Sequence, residues 1–335
     1  MQKISLSHGN GGRHTFDLIK NVFIKHFQEA GDYAADSFIT KDFRGGLAFT
    51  TDSHVVKPIH FPGGDIGSLS VNGTANDLAV CAARPLYLSC GFIIEEGFRI
   101  EELDAIVKSM ADSARSCGVR IVAGDTKVVE KGNADGLYIN TSGIGQLHSI
   151  LPSGPSTILQ GDIVLVSGTV GDHGATVFAA RDDMSFQSNL TSDCACVYPL
   201  IEMLDASGLM EGVRIMRDPT RGGLATTLNE FVHGLATGIE LDETSIPVRA
   251  EVTGICELLG FDPVYLACEG KVVLVCDPSY ADKILSLWKQ HPLGRDASAI
   301  GYVTARYAGG VFMKTSVGGE RILDMLQSDM LPRIC

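Results

Sequence analysis

Strand-like and helical segments alternate along the whole 335-residue chain, and the alternation occurs twice, in two similar halves. Apolar runs rich in β-branched residues are typical of strands, whereas apolar positions with a 3.6-residue period are typical of helices. The alternation therefore predicts an α/β or α+β fold, and periodicity alone does not give the order of the strands. The strand-like runs are GGLAFTTDSHVV, LYLSCGFII, RIVAGDTKVV, LYINTSGIGQL, GDIVLVSG, KVVLVC and ASAIGYVT.

The clearest helical pattern lies in the segment RIEELDAIVKSMADSARSCGV. Leu103, Ile106, Val107 and Met110 recur there at helical spacing, and Cys117-Gly118 ends the pattern. The segment GSLSVNGTANDLAVCAA is predicted to be a helix with small residues on one face. Further helices are predicted after the glycine-bearing loop SGTVGDHG and near residues 196–208, 222–237 and 280–290.

A segment rich in Pro, Ser and Gly, LPSGPSTIL, separates the two halves and is the best candidate for a linker. A chain of this length favours two domains over one. We therefore predict an N-terminal domain over residues 1–152 and a C-terminal α/β domain over residues 153–324. Residues 325–335 show no sustained period and are predicted to form a mobile tail.

The charge balance is acidic, with 27 Lys and Arg against 40 Asp and Glu and a net charge of −13. Because non-specific binding to nucleic acids needs basic groups that neutralise phosphates, nucleic acid is not expected as a partner. A phosphate ligand would need Mg²⁺ between its oxygens and the protein's carboxylates. The N-terminus lacks an apolar signal core and no stretch approaches the roughly 20 apolar residues of a membrane span, so a cytoplasmic location without membrane contact is expected.

The nine cysteines are an odd number, and most of them lie in or beside apolar runs. Such residues are expected to be buried free thiols in a reducing compartment. Cys194 and Cys196 stand two apart in DCAC without a second Cys or His pair nearby, so the spacing of a zinc site is absent. Cys335 is different, because it ends the chain in the polar segment SDMLPRIC.

No phosphate-binding loop of the form GxxxxGK[ST] occurs in the chain. In SGTVGDHGAT, Gly168, Gly171 and Gly174 have the spacing GxxGxxG, which does not match the dinucleotide-binding fingerprint. These glycines could serve packing and turns, or they could line a ligand with Asp172 and His173 at the predicted helix start.

Four aspartates follow apolar strands or lie in glycine-rich turns, namely Asp52, Asp77, Asp125 and Asp218. Each alone would be read as a helix cap or a turn former. Together, beside Gly, Thr and Asn, they favour a site where Mg²⁺ and phosphate meet, because Mg²⁺ takes one or two carboxylates plus phosphate oxygens. Lys127 is predicted to share a strand face with Asp125 and could neutralise a phosphate.

Ten motifs resemble the HypE family of hydrogenase maturation proteins, and the resemblance covers residues 8–335. This family belongs to the superfamily of aminoimidazole ribonucleotide synthetase, selenophosphate synthetase and thiamine-phosphate kinase, which bind ATP without a classical phosphate loop. The motifs are HGNGG, TTDS, FPGGDIG, NGTANDLAV, YLSCGFIIEEG, VAGDTKVV, VSGTVGDHGAT, RDPTRGG, EGKVVL and the terminal PRIC.

The resemblance implies a two-domain aminoimidazole ribonucleotide synthetase-like fold, whose N-terminal sheet pairs with that of a second copy in a homodimer. It also implies an enzyme, a carbamoyl dehydratase. The HypF carbamoyltransferase would place a carboxamide on the terminal sulfur, and this chain would use ATP and Mg²⁺ to dehydrate it to a thiocyanate. The cyanide would pass to iron on a HypC–HypD scaffold, for the Fe(CN)₂CO centre of [NiFe]-hydrogenase.

The resemblance also implies roles for individual residues. Cys335 would carry the substrate, Lys127 would stabilise the phosphoryl group, and Glu269 would be the base, with His173 as a second candidate. Glu269 matches the acidic residue of the family's usual Asn-Glu-Gly, but Cys268 stands here in place of that Asn. The implied nucleotide-binding residues are Gly11, Gly12, Asp52, Thr74, Asn76, Asp77, Asp125 and Thr126, and the implied metal ligands are Asp52, Asp77 and Asp218.

Two other functions are compatible with the acidic motifs. A synthetase or kinase of the same superfamily that acts on a free small molecule would share them but would have no use for Cys335. A scaffold that only docks a partner with its tail would not depend on them. Prenylation of Cys335 is excluded, because that signal needs three residues after the cysteine.

Overall fold

The computed structural model describes residues 3–9, 13–27, 45–181 and 189–326. Its contacts divide the chain into two units. The first contains the chain up to His60 together with Gly64–Ala79 and Ala83–Leu147. The second contains Phe61–Gly63, Val80–Ala82 and the chain from His148 onward.

The first unit contains a four-stranded sheet in the order β1-β6-β4-β5, in which β4 and β5 are parallel and the other neighbours antiparallel. Two short helices, α1 (Arg13–Leu18) and α2 (Lys25–Phe27), flank a π-helical segment, Ile19–Ile24. The strands and long helices of this part are β1 (Leu47–His54), β2 (His60–Phe61), β3 (Gly64–Asp65), α3 (Ile66–Val80), β4 (Ala83–Glu95), α4 (Ile100–Cys117), β5 (Arg120–Val129) and β6 (Leu137–Leu147).

Helix α4 follows the predicted pattern closely. Its positions Leu103, Ile106, Val107 and Met110 are fully buried, and Gly118 ends it in the left-handed conformation at φ 68°. Glycine adopts this conformation without a steric penalty, which explains why the helix stops there. The predicted helix and its C-terminal signal are confirmed.

Helix α3 packs closely between the sheet and α4. A Cβ atom on Gly143 of β6 would lie 2.9 Å from the Thr74 side chain of α3, and one on Gly67 of α3 would meet the Met110 side chain of α4 at 2.9 Å. Glycines therefore permit the close approach on both sides, Gly143 of the sheet on one side and Gly67 of the helix on the other.

The two faces of this sheet differ in exposure. On β1 the alternate residues Thr50, Asp52 and His54 are at least partly buried on the face that carries α3. On the opposite face, which we call the open face, Phe49 and Ile93 are 64% and 44% exposed. Exposed apolar side chains on a sheet indicate a surface for association, as the predicted dimerisation requires.

The second unit contains a seven-stranded sheet in the order β13-β12-β9-β11-β7-β10-β8, which is antiparallel except for the β12–β9 pair. Its strands are β7 (Ile163–Val166), β8 (Val213–Arg217), β9 (Gly238–Asp242), β10 (Val273–Cys276), β11 (Ser298–Thr304), β12 (Val311–Lys314) and β13 (Glu320–Leu323). Its helices are α5 (Asp172–Ala179), α6 (Tyr198–Ala206), α7 (Gly223–Val232), α8 (Ala250–Leu259) and α9 (Pro278–Trp288).

Both faces of the central strands β7 and β10 are buried. Val164 and Val273 belong to a core that includes Phe231 of α7, whereas Leu165 and Leu274 point the other way and are equally buried. Continuous apolar sequence, without alternation, is therefore the expected pattern for these strands.

The mixed α/β class with two α/β units is confirmed, as are the predicted strands and helices. Sequence reasoning did not identify α8 or the strands β8, β9, β12 and β13. Each of these four strands has four or five residues and includes a charged side chain. None of the helices in the described ranges combines the length and the apolar character of a membrane span.

Candidate active site

Two of the predicted carboxylates, Asp52 and Asp77, lie between β1 and α3. Thr50 donates a 2.9 Å hydrogen bond from its hydroxyl to Asp77 Oδ2. A Cβ on Gly73, one helical turn before Asp77, would lie 3.6 Å from Asp52 Oδ2. Because residues 73 and 77 lie on one helix face, this places the two carboxylates about one turn, or about 5 Å, apart along α3.

A buried polar network supports this corner of the unit. Thr74 and Thr141 share a 2.5 Å hydroxyl contact, and Thr141 also donates to the Ser70 carbonyl oxygen at 3.1 Å. His54 is 2% exposed, and its Nε2 lies 3.3 Å from the Thr141 hydroxyl and 3.6 Å from Asp52 Oδ2. The network connects β1, α3 and β6 next to the carboxylates of Asp52 and Asp77.

The predicted nucleotide-binding residues Thr74 and Asn76 are both fully buried. Thr74 contributes to the network just described, which is a structural role. Its contact with a nucleotide, and that of Asn76, stays a prediction.

The donor set at Asp52 and Asp77 fits Mg²⁺, which prefers hard oxygen ligands and keeps several positions for water and phosphate. In the part of the chain that the structure describes, no three His, Cys, Asp or Glu side chains come together as a ready metal site. A cation held there would therefore take part of its coordination from a phosphate ligand.

Asp125 and Lys127 lie elsewhere in this unit. Asp125 is paired in register with Gly91 and Lys127 with Ile93, so both side chains project from the open face. Their own contact, 3.3 Å between Lys127 Nζ and Asp125 Oδ2, confirms that they share a strand face.

The sheet order also separates Asp125 from Asp52. β5 and β1 are the two edges of the sheet, with β4 and β6 between them. At the usual strand spacing the edges stand about 14 Å apart. Within one chain, Asp125 and Lys127 therefore do not lie beside Asp52 and Asp77.

The N-terminal loop packs against β5 on its inner face. A Cβ on Gly9 would overlap Val128, which is paired in register with the buried Ile94. Thr126, paired with Phe92, faces the same way. His8 lies in the same loop, where its Nδ1 accepts a 3.0 Å hydrogen bond from the Ser5 N–H. Gly11 and Gly12 lie outside the described residues.

In the second unit, His173 is fully buried in the first turn of α5. Its Nδ1 lies 2.8 Å from the Ser192 hydroxyl, and its ring meets Phe61 edge-on at a centroid distance of 5.3 Å. Gly171 precedes the helix in the left-handed conformation at φ 85°, with Pro263 and Leu266 close by, so a larger residue would be strained there.

Asp172, beside His173, carries a buried carboxylate. Its Oδ2 accepts a 2.5 Å hydrogen bond from the Thr169 hydroxyl and lies 3.2 Å from Arg249 Nε. Burial raises the pKa of Asp172 above its usual value, although the Thr169 hydrogen bond acts in the opposite direction.

Glu269 is 3% exposed, so its side chain is buried in the second unit. It lies in a segment held from two sides. The Cys268 N–H donates to the Pro219 carbonyl at 3.0 Å, in the turn that follows Asp218, and the Ala195 N–H donates to the Glu269 carbonyl at 3.3 Å. Asp218 itself is 4% exposed. The structure thus brings the segments around Asp218 and Glu269 together.

Cys268, the residue before Glu269, makes a buried polar contact with the loop before α5. Its sulfur accepts the Gly171 N–H at 3.2 Å. Burial raises the pKa of the Cys268 thiol well above its usual range, with nearby Asp193 adding to the effect, so the group is a neutral thiol.

Sequence reasoning missed two charged residues of this region, Asp193 and Lys271. Their side chains are 1% and 9% exposed, with 3.1 Å between Lys271 Nζ and Asp193 Oδ2. The signal available was the motif EGK, in which Lys271 follows Glu269 by two residues. Asp193 had no signal, because its neighbourhood resembles an ordinary turn.

The end of the described chain is anchored near the same elements. The Tyr265 hydroxyl donates to the Asp324 carbonyl at 3.0 Å, and Asn229 Nδ2 donates to the Leu323 carbonyl at 2.8 Å. Tyr265 precedes Glu269 by four residues. Cys335 and the rest of the predicted tail beyond residue 326 lie outside the described residues.

Comparisons with known proteins cover nearly the whole chain. Residues 35–147 match the N-terminal domain and residues 160–314 the C-terminal domain of the AIR synthase related protein family. A carbamoyl dehydratase HypE from Cupriavidus necator is 45% identical, over 99% of this chain and 95% of its own length.

Two solved structures are similar throughout. The crystal structure of the hydrogenase maturation protein HypE in complex with ATP is 43% identical and has a TM-score of 0.92, over 98% of this chain and 99% of its own. That of a HypE–HypF complex is 45% identical with a TM-score of 0.80, over 94% of this chain and 100% of its own.

Proposed function

Because the chain belongs to the HypE proteins of the AIR synthase related family, we propose that it is an ATP-dependent carbamoyl dehydratase. Its substrate is the S-carboxamide on its own terminal residue, Cys335, and its product is the thiocyanate. The observation that carries this proposal is the similarity, over 98% of the chain, to a HypE solved with ATP.

The net reaction is R–S–CO–NH₂ + ATP → R–S–C≡N + ADP + phosphate. ATP supplies the phosphoryl group that makes the amide oxygen a good leaving group. The chain must then hold the amide close to the nucleotide and remove the nitrogen protons. The second task needs a base, for which Glu269 is our first candidate and His173 the second.

Glu269 suits this task because of its burial. A carboxylate that is 3% exposed is shielded from water, and its position is defined by the backbone contacts of its neighbours.

Lys127 is a compact ammonium on an exposed strand face, and we assign it the stabilisation of charge on the transferred phosphoryl group.

Asp52 and Asp77 are the residues that would hold Mg²⁺ with the nucleotide. Asp77 belongs to α3, and the carboxylate of Asp52 on β1 lies against the same face of that helix. Asp218 is a third proposed ligand. Thr74, Asn76, Asp125, Thr126 and the loop with Gly11 and Gly12 are proposed to contact the nucleotide.

The chain is proposed to act as a homodimer through its open sheet face. Phe49 and Ile93 supply exposed apolar area on that face. Because Asp125 and Lys127 project from it as well, pairing of two copies would place both residues at the interface. Lys127 would then act at the boundary between the copies.

The proposed partners follow from the chemistry of the tail. A HypF carbamoyltransferase would supply the carboxamide, which the HypE–HypF complex supports. A HypC–HypD scaffold would receive the cyanide for the Fe(CN)₂CO centre of [NiFe]-hydrogenase. All of these steps are proposed to occur in the cytoplasm.

Intact-mass spectrometry of the full chain tests the proposal. After incubation with carbamoyl phosphate, the carbamoyltransferase and ATP, we expect a gain of about 43 Da that ATP converts to about 25 Da, as the two covalent groups require. Cys335→Ala should show neither gain. A 25 Da gain on another cysteine, or ATP turnover that depends on a free metabolite and not on the last four residues, would contradict the proposal.

A further inference from the structure

The four-residue segment Ser192–Ala195 lies directly against residues 269–271. One Asp193 carboxylate oxygen, Oδ1, accepts the Glu269 N–H at 3.2 Å. The other, Oδ2, lies 3.1 Å from Lys271 Nζ. Ala195 closes the contact by donating its N–H to the Glu269 carbonyl at 3.3 Å. Both backbone polar groups of Glu269 are thus bound by one segment.

Gly270 makes this contact possible. A Cβ on Gly270 would overlap the Asp193 carbonyl oxygen, so only glycine lets the segment cross between residues 269 and 271. Gly168 has a related role, since a Cβ there would lie 3.0 Å from Lys271 Cε. The first glycine of the GxxGxxG loop therefore makes room for the lysine that pairs with Asp193.

The charges of the pair are matched although both groups are buried. Burial by itself would lower the pKa of Lys271, but the negative charges of Asp193 and Asp172 act in the opposite direction, and the pKa is raised. Lys271 is therefore a cation, and Asp193 is its nearest counter-charge. Loss of either partner alone would leave a buried charge, which is costly whatever the pair does for function.

The same segment reaches the second candidate base on its other side. The Ser192 hydroxyl lies 2.8 Å from His173 Nδ1 and also accepts the Cys194 N–H at 3.0 Å. Asp193 and Ser192 can therefore affect the two candidate bases, Glu269 and His173, without contacting a substrate themselves.

We propose that Asp193 is a positioning residue that fixes the backbone of Glu269, and with it the direction of the Glu269 carboxylate. The proposal rests on the proposed function, in which Glu269 removes a proton from the substrate nitrogen. It assigns the effect to the hydrogen bond at Oδ1, whereas the ion pair at Oδ2 only compensates the charge of Lys271. A small displacement of a catalytic group is enough to lower a rate strongly.

Two double variants of the full chain separate the two contacts. Asp193→Asn/Lys271→Met removes both charges but keeps an amide oxygen that can accept the Glu269 N–H. Asp193→Ala/Lys271→Met removes the charges and the acceptor. Because neither variant leaves one member of the Asp193–Lys271 pair buried and charged without the other, both should fold, as thermal unfolding will show.

We expect Asp193→Asn/Lys271→Met to form thiocyanate within about threefold of the wild-type rate, whereas Asp193→Ala/Lys271→Met should be at least about tenfold slower in kcat, with KM for ATP unchanged. A matched control is Asp162→Ala/Arg214→Met. Asp162 Oδ2 accepts the Leu159 N–H at 2.8 Å and lies 3.2 Å from Arg214 Nε, so the same kinds of contact are lost away from Glu269. The control variant Asp162→Ala/Arg214→Met should form thiocyanate at the wild-type rate.

Hydrogen exchange at the Glu269 amide gives a readout that does not depend on activity. Exchange should be at least about tenfold faster in Asp193→Ala/Lys271→Met than in Asp193→Asn/Lys271→Met. Equal exchange and equal rates in the two variants would overturn the proposal. If the wild type itself forms no thiocyanate, the proposed function fails, and the exchange comparison still decides whether Asp193 fixes Glu269.

Discussion

Thr50 and Asp77 are joined by a 2.9 Å hydrogen bond that ties strand β1 to helix α3, with the Thr50 hydroxyl as donor and Asp77 Oδ2 as acceptor. The hydrogen bond involves only Oδ2 of Asp77 and does not neutralise the negative charge of the carboxylate. Asp77 can therefore serve the fold through Thr50 and a cation through its charge, and substitutions separate the two roles.

Asp77→Asn should weaken binding of Mg-ATP by at least about tenfold, or about 1.4 kcal/mol, because the amide carries no charge for Mg²⁺. The amide oxygen can still accept the Thr50 hydroxyl, so the melting temperature should change little. Isothermal titration with and without Mg²⁺ measures the effect. The control is Thr50→Val, which removes the hydrogen bond and keeps the charge. If Thr50→Val weakens binding as much as Asp77→Asn, the charge is not the cause.

Glu269→Gln and Lys127→Met should both bind ATP and fail to convert a carbamoylated tail to the thiocyanate. Glutamine keeps the size of the buried side chain but cannot take a proton, and Lys127 is 66% exposed, so neither change should unfold the chain. Nucleotide binding and intact mass are measured separately. Lys108→Met, at an exposed position of α4, is the control and should leave both unchanged. A wild-type yield of thiocyanate in either variant would discard that residue's assignment.

Ser192→Ala tests the second candidate base. If His173 takes the proton, loss of the 2.8 Å contact with Ser192 should slow dehydration about tenfold, while Ser192→Thr, which keeps the hydroxyl, should be nearly normal. The double variant Ser192→Ala/His173→Ala should then be no slower than His173→Ala, because the two residues act as one unit. Additive losses in the double variant would show that Ser192 acts otherwise, and unchanged rates would leave Glu269 as the base.

The stability of the chain should depend on pH through Asp172. Its folded-state pKa is raised by burial, so the folded chain binds this proton more tightly than the unfolded chain does. The stabilising contribution is fully present below the unfolded pKa, near 4, and is lost as pH rises through the folded pKa. Asp172→Asn, whose amide oxygen can still accept the Thr169 hydroxyl, should remove this loss.

The free energy of unfolding of Asp172→Asn should therefore increase relative to the wild type as the pH rises from about 4 to 7. Urea unfolding at several pH values measures the difference. Asp277→Asn is a contrasting control, because hydrogen bonds from Ser279 lower the pKa of Asp277. The stabilising contribution of Asp277 is therefore present above the unfolded pKa, near 4, and is lost only as the pH falls further, so its difference from the wild type should stay nearly constant between about pH 4 and 7. A difference for Asp172→Asn that is constant across this range would contradict the raised pKa.

Much of the fold could be read from local pattern. The apolar face of α4, its end at Gly118, and the apolar runs that became β7 and β10 were all identified correctly, because each depends on residues close together in sequence. Strands β8, β9, β12 and β13 were missed, since these segments of four or five residues include charged side chains, whereas the equally short β7 and β10 are apolar throughout.

The candidate site shows the same division. The sequence identified the aspartates, Lys127, Glu269 and His173 as chemically able residues, and it predicted that Asp125 and Lys127 share a strand face. It did not identify Asp193 or Ser192. Asp193 contacts Glu269, which lies about 75 residues further along the chain, and Ser192 contacts His173, which lies about 20 residues earlier. Only the folding of the chain brings these residues together.

Alternation along a strand determines by itself which side chains share a face, because successive Cα–Cβ bonds point to opposite sides. It does not determine which strands become neighbours, and that decided where the carboxylates lie. Pairing of β1 with β6 and of β5 with β4 put Asp52 and Asp125 at opposite edges of one sheet. Strand order depends on hydrogen bonds and apolar packing between segments far apart in the chain, so only the tertiary structure could settle it.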